Sequence, residues 1–311
     1  MQYRQLGKSG VRVSVIGLGT NQFGSARVPQ AEVDRLIGGA ADLGINFIDS
    51  ADIYQGGRSE ETLGVALQGR RNQFLLATKY FNKTGEGTND RGASRYHLYD
   101  AVEGSLRRLQ TDHIDLYYVH NFDDATPFEE MLRSLDDLVR AGKVRYIGAS
   151  NFLAWQLAHA NLLADFHGWS PFIASQNHYH LLERGIEREV ASYCRRMGAG
   201  LIPYFPLAGG FLTGKYHRGQ PAPAGSRGES NKYVQQYMTD ANYTLLERLT
   251  AWAAQRGHTP GDAAQSWLLA HPEVSSVISG ATRLEQVQEN VKAAEWVLAP
   301  DEVKQIEEFL A

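Results

Sequence analysis

The amino-acid sequence predicts an α/β protein folded as a closed (β/α)8 TIM barrel, with an N-terminal hairpin and an extra C-terminal helix. Two observations carry this expectation. Short apolar runs of strand length recur eight times along the 311 residues, ending in "VIGLGT", "INFID", "FLLATKY", "IDLYYVH", "VRYIGAS", "FIASQNHY", "GLIPYFP" and "VSSVISG". Between them lie segments that are apolar at helical spacing, the alternation of a parallel sheet with crossover helices. An open, doubly wound sheet is the alternative that the same alternation allows.

Each element follows from local signals. "YRQLGKSGVRVS" reads as a hairpin turning at Ser9-Gly10 before the barrel begins. Val33, Leu36, Ile37 and Ala40 mark the first helix, and Phe128, Met131, Leu132, Leu135 and Val139 a later one. In "TPFE", Thr126 is expected as N-cap, Pro127 at the first helical position and Glu129 as the partner in a capping box, with Gly142 closing the helix. "TRLE" repeats the device with Thr282 and Glu285, ahead of the stripe Leu284, Val287 and Val291. Lys215 to Asn231 is rich in Gly, Pro and Ser and reads as a long functional loop, and "APDEVKQIEEFLA" as a terminal helix. No linker divides the chain, so residues 1–311 are expected to form one domain.

Composition narrows the function classes. Hydrophobic residues make up 43% and charged residues 21%, the mix of a soluble globular protein. A net charge of -4 argues against nucleic acid and anionic membranes as partners. No run approaches the roughly 18 apolar residues of a membrane span, and the start shows no apolar signal core. The single cysteine, Cys194, forbids an internal disulfide and a cysteine zinc cluster, and a cytoplasmic location is expected. The sequence does not set the oligomeric state.

The ends of the predicted strands carry the chemistry, because that is where a barrel of this kind builds its site. They are Asp49, Lys79, His120, Ser150-Asn151, Gln176-Asn177, Tyr204 and Ser279-Gly280, with Tyr54 five positions beyond Asp49. Singly, each has an ordinary explanation: a turn-forming aspartate, a solvated lysine, a structural histidine, a helix cap. Together, on one face of one barrel, they describe a site. A tyrosine hydroxyl titrates near 10, and a neighbouring lysine cation brings that value down. Asp49 would hold Lys79, and His120 would hydrogen-bond a carbonyl oxygen that Tyr54 protonates. Such a site can protonate but holds no hydride, which a cofactor must bring.

These residues resemble the aldo-keto reductases over nearly the whole chain. "GINFIDSADIY", "LLATK" and "DLYYVH" resemble the family's aspartate-tyrosine, lysine and histidine motifs. "GKVRYIGASNF", "SQNHYH", "PYFPLAGGFLTGKY" and "ISGATRLEQVQEN" follow in order. The resemblance implies an NADP(H)-dependent reductase of aldehydes, with ketones as further substrates, whose barrel binds its cofactor without a Rossmann domain. "GLGTNQFG" accordingly does not match G-x-G-x-x-G. It implies Asp49, Tyr54, Lys79 and His120 as the catalytic tetrad. Ser150, Asn151 and Gln176 would hold the nicotinamide carboxamide, and Tyr204 would stack on the ring. Pro206, Leu207 and Gly209 would run along the pyrophosphate with Lys215 as charge partner. The helix opening at Thr282 would present Arg283, at its first position, to the 2'-phosphate, with Gln286 and Asn290 at the adenine. Gly19, Thr20, Asp49 and Gly280 complete the implied cofactor set. Asn121, Phe205 and the "ISGA" stretch depart from the family pattern, and Phe23, Phe81, Asn121 and the residues after Lys215 are expected to shape the substrate pocket. Two other readings stand beside this one. A regulatory subunit like the β-subunits of potassium channels would bind cofactor as a sensor, and a metal-dependent hydrolase would need ligands beyond His120 and Asp49.

Overall fold

The computed structural model describes residues 1–310. A hairpin of β1 (Tyr3–Gln5) and β2 (Arg12–Ser14) precedes eight parallel strands. These are β3 (Ile16–Gly19), β4 (Phe47–Asp49), β5 (Leu75–Tyr80), β6 (Ile114–Val119), β7 (Val144–Ser150), β8 (Phe172–His178), β9 (Gly200–Tyr204) and β10 (Val277–Gly280). They pair in sequence order and close through β10 against β3, which makes a TIM barrel and rules out the open sheet.

Six helices follow the first six barrel strands: α1 (Gln30–Asp42), α2 (Arg58–Ala66), α3 (Arg95–Leu109), α4 (Phe128–Arg140), α5 (Ala154–His167) and α6 (Val190–Met197). The long β9–β10 connection contains α7 (Arg227–Ser230), α8 (Lys232–Gln235), α9 (Asp240–Ala254) and α10 (Pro260–Leu269). Then come α11 (Leu284–Ala293) and the expected terminal helix α12 (Pro300–Glu308). The segment after Lys215 is loop as far as Ser226, but its end folds into α7. No helix is long and apolar enough to cross a membrane.

Two apolar layers form, because successive side chains of a strand face opposite sides. Phe47, Leu75, Ala77, Leu116, Tyr118, Ala174, Ile202 and Ile278 fill the barrel, and Leu6 and Val13 of the hairpin close its lower end. Their neighbours, such as Ile48, Leu76, Tyr117 and Leu201, pack outward against helices that include the buried stripe Val33, Leu36, Ile37 and Ala40.

Both expected capping boxes are absent. Pro127 occupies the N-cap position of α4 and Thr126 stands outside it, its hydroxyl donating to Asp123 Oδ2 at 2.7 Å. Asp123 also accepts from the amides of Ala93 and Ala125, so a loop carboxylate has outcompeted the helix for that hydroxyl. In α11 the N-cap position falls to Arg283, one residue later than the motif suggested. Thr282 instead donates its amide and hydroxyl to Gln286 Oε1, at 2.8 and 3.2 Å.

Candidate active site

The inward parity of the strands explains which polar residues meet. Two residues beyond Phe47, Ala77, Tyr118, Gly148, Ala174, Ile202 and Ile278 stand Asp49, Lys79, His120, Ser150, Gln176, Tyr204 and Gly280. Each therefore continues the interior row of its strand to the carboxyl end. Tyr54 comes from the loop after β4, in a single tight turn whose Gln55 and Gly56 are left-handed. A buried hydroxyl cluster anchors that loop. Ser59 Oγ donates to the Thr20 carbonyl and Thr20 Oγ1 to the Asp49 carbonyl, at 2.8 and 3.1 Å.

Lys79 is fully buried and spends its three donors on Asp49 Oδ2 (2.6 Å), the Ser50 carbonyl (2.7 Å) and the Tyr54 hydroxyl (3.4 Å). Gln176 Nε2 donates to the other Asp49 oxygen at 2.8 Å. Burial alone would drive the Lys79 ammonium down, but Asp49 and then Tyr54 outweigh it and hold it above its ordinary value. For Tyr54 the balance falls the other way from the sequence expectation. Burial lifts the phenol above its usual range, and Lys79 only offsets part of that rise. His120, ring edge against ring face 6.0 Å from Tyr54, is pushed down to about 3 by burial and by Lys79, so its imidazole is neutral. Behind them the Asp52 carboxyl is buried with neither oxygen hydrogen-bonded and is pushed up to about 8, first by burial and then by Glu60.

These side chains open onto one cleft of about 570 Å³, within the usual range of small-molecule sites. Every residue expected in the tetrad or at the cofactor lines it except Lys79, which lies beneath Tyr54, whereas Phe23, Phe81 and Asn121, expected to shape the substrate pocket, do not line it. Asn151 bonds two neighbours within the protein. Its amide nitrogen donates to the His120 carbonyl at 3.0 Å, and its oxygen accepts from the Tyr204 hydroxyl at 3.0 Å. The Tyr204 ring is stacked on His178, centroids 5.3 Å apart, which covers one of its faces. Phe23 is fully buried in the core and forms no pocket wall.

The outer half of the cleft is cationic. Arg27, Lys215, Arg227 and Arg283 line it, and among the described residues the only carboxylate in the lining is Asp49, already bound to Lys79. Among the described residues, neither Arg27, Lys215 nor Arg227 forms a salt bridge, and Arg283 meets only Glu285 at 3.8 Å. Arg227 is drawn below its ordinary value by burial, and Arg27 adds to that pull. Left-handed Ala208, Gly209 and Gly210 fold the chain back so that Lys215 Nζ lies 2.8 Å from where a Gly210 Cβ would stand. An anion fits this part of the cleft by charge. The sequence reading did not name Arg27, in the loop before α1, or Arg227, which opens the short helix α7 inside the segment expected to be loop; no periodicity points either of them at the cleft.

Comparison with known proteins agrees with the fold. The model of the Aldo/keto reductase family matches residues 15–311. An uncharacterised oxidoreductase of Bacillus subtilis, YrpG, is 37% identical over 95% of this chain and 91% of its own. L-glyceraldehyde 3-phosphate reductase of Escherichia coli O157:H7 is 33% identical over 100% and 93%. A probable voltage-gated potassium channel subunit beta of rice, Oryza sativa, is 35% identical over 99% and 96%. The chain belongs to the aldo/keto reductase family. Two of these relatives are named as an oxidoreductase and a reductase and the third as a channel subunit. Enzymes of the family act on small carbonyl compounds and generally use a nicotinamide cofactor.

Proposed function

We propose that the protein is a cytoplasmic, NADPH-dependent reductase of aldehydes, with ketones as further substrates. The observation that carries this reading is the Tyr54 hydroxyl over buried Lys79, beside neutral His120, at the inner end of a cleft whose outer half is cationic. NADPH, when bound, supplies the hydride that the side chains lack. Tyr54 donates its proton to the carbonyl oxygen, and His120 hydrogen-bonds the same oxygen to orient it. Lys79, held by Asp49, supplies the positive charge that stabilises the Tyr54 phenolate left behind.

The residues fit that cofactor. Ser150 and Gln176 Oε1 would hold the carboxamide, with Asn151 fixing Tyr204, whose open face would take the ring. Gly19, Thr20 and Gly280 would form the floor, and Pro206, Leu207, Gly209, Lys215, Arg27 and Arg227 would surround the phosphates. Thr282, Arg283, Gln286 and Asn290 would hold the adenosine end. Absorbance of NADPH, followed across a panel of aldehydes and ketones, tests the assignment: steady consumption is expected. Cofactor binding without consumption by any carbonyl would favour a sensing subunit, the reading to which the rice relative's name points. Activity is expected to survive exhaustive chelation, because His120 faces the cleft without a second ligand and Asp49 is held by Lys79 and Gln176. Loss on chelation, restored by a divalent ion, would overturn the scheme.

Arg283 decides between the two nicotinamide cofactors. A cation at a helix N-terminus opposes the helix dipole, and a bound dianion relieves that conflict. A charge-assisted hydrogen bond contributes about 1.5–3 kcal/mol, on the order of 10–100-fold in affinity. NADPH is therefore expected to bind more tightly than NADH by that factor, and Arg283→Ala to weaken NADPH alone. Fluorescence titration of both cofactors against both proteins measures this. Equal losses would show that Arg283 does not read the 2'-phosphate.

A further inference from the structure

The His120 ring has a second neighbour that the proton-donor scheme does not use. Asn82 Nδ2 lies 3.0 Å from His120 Nδ1. An amide nitrogen has no lone pair to offer, so at this contact it can only donate. A neutral imidazole carries one proton, and whichever nitrogen accepts a hydrogen bond leaves that proton on the other. Among the described residues, Nε2 has no hydrogen-bond partner in the protein. His120 itself is held at both ends of its backbone, by the Tyr80 carbonyl at 2.9 Å and by Asn151 at 3.0 Å.

The backbone before Asn82 is bent to make this contact. Phe81 has φ 139°, a conformation that a side chain bearing a Cβ adopts only under strain. Its carbonyl is pinned by the Gly92 amide at 2.8 Å, on the far side of the loop after β5. That strain turns the residue just past the end of β5 toward the residue at the end of β6. Strain held by the surrounding structure at such a place is characteristic of functional sites.

We propose that Asn82 is a positioning residue that fixes His120 in the Nε2–H tautomer, so that the imidazole offers a donor, and never a lone pair, to the substrate oxygen. The opposite tautomer would set a lone pair against that oxygen and repel it. Because His120 is neutral, its tautomer alone decides whether it assists. This inference rests on the carbonyl-reductase reading for its catalytic consequence, but the tautomer can be measured without turnover.

Two measurements test it. Long-range ¹H–¹⁵N correlation spectra of the full-length protein, with His120 identified by its loss in His120→Gln, are expected to show a protonated Nε2 and a bare Nδ1. A proton on Nδ1 would overturn the proposal. Steady-state kinetics then compare Asn82→Ala with Asn82→Asp at pH 8. An opposite charge raises a pKa by about 1–3 units, so an imidazole starting near 3 stays neutral there. The aspartate carboxylate can only accept, which moves the proton to Nδ1. Asn82→Asp is expected to lose at least tenfold more kcat than Asn82→Ala, with NADPH affinity unchanged in both and the NMR signature of His120 inverted in the aspartate variant. Equal kcat in the two variants would overturn the proposal. If the wild-type protein reduces no carbonyl, the reductase reading fails while the wild-type spectrum still decides the tautomer.

Discussion

Tyr54→Phe is expected to remove carbonyl reduction almost entirely while leaving NADPH affinity nearly intact. General acid catalysis contributes on the order of 10²–10⁴-fold, and Tyr54 is the only hydroxyl in the cleft that lies against Lys79. The ring would keep its place beside His120, so the loss would read the proton and not the packing. Single-turnover rates with NADPH in excess, set beside a fluorescence titration of the cofactor, separate the two quantities. Wild-type turnover in the phenylalanine variant would remove Tyr54 from the proton-donor role. The wild-type pH profile follows from the same groups. Burial holds the phenol above its ordinary value near 10, so it stays protonated throughout the neutral range. His120 gains its proton only near 3. Reduction is therefore expected to be flat across neutral pH and to fall on the alkaline side, as the coupled pair of Tyr54 and Lys79 loses its protons. An acid limb near 6 would mean that some group other than His120 controls the rate.

Much of this site was legible before any coordinates, because strand parity and strand ends are written in the sequence. Once eight apolar runs are placed, Asp49, Lys79, His120 and Gln176 fall on interior rows without further assumption. Residues outside that grammar were missed. Arg27 and Asn82 reach the site from irregular loops and Arg227 from the start of the short helix α7, and Asn82 depends on a strained Phe81 that composition does not announce. The capping boxes failed because competition for a hydroxyl is a tertiary matter: Thr126 serves Asp123, and Thr282 serves Gln286. Burial was the other hidden quantity. The sequence placed Lys79 beside Tyr54 and gave the right sign for its influence. It could not show that desolvation of a phenol sunk this deeply would exceed that influence.

Lys79→Met is expected to cost both rate and stability, for separable reasons. Lys79 is the only cation bonded to the Tyr54 hydroxyl, and its charge is what offsets burial there. Methionine keeps most of the volume and removes the charge, so the phenol becomes a weaker acid and Asp49 pushes it further the same way. A loss on the order of 10²-fold in single-turnover rate is expected, the lower end of the range for general acid catalysis. The structural cost arises at Asp49, which would keep only the Gln176 contact in a site cut off from solvent. Breaking a buried ion pair by removing one partner costs about 3–5 kcal/mol, which would appear as a lower urea midpoint. Adding Asp49→Asn removes the stranded charge and is expected to recover most of that midpoint, since the asparagine amide can still meet Gln176. The double variant should nevertheless remain slow, because the cation beside Tyr54 is still missing. Recovery of rate together with stability would show that Lys79 serves the fold alone, and that another group supports the Tyr54 phenolate.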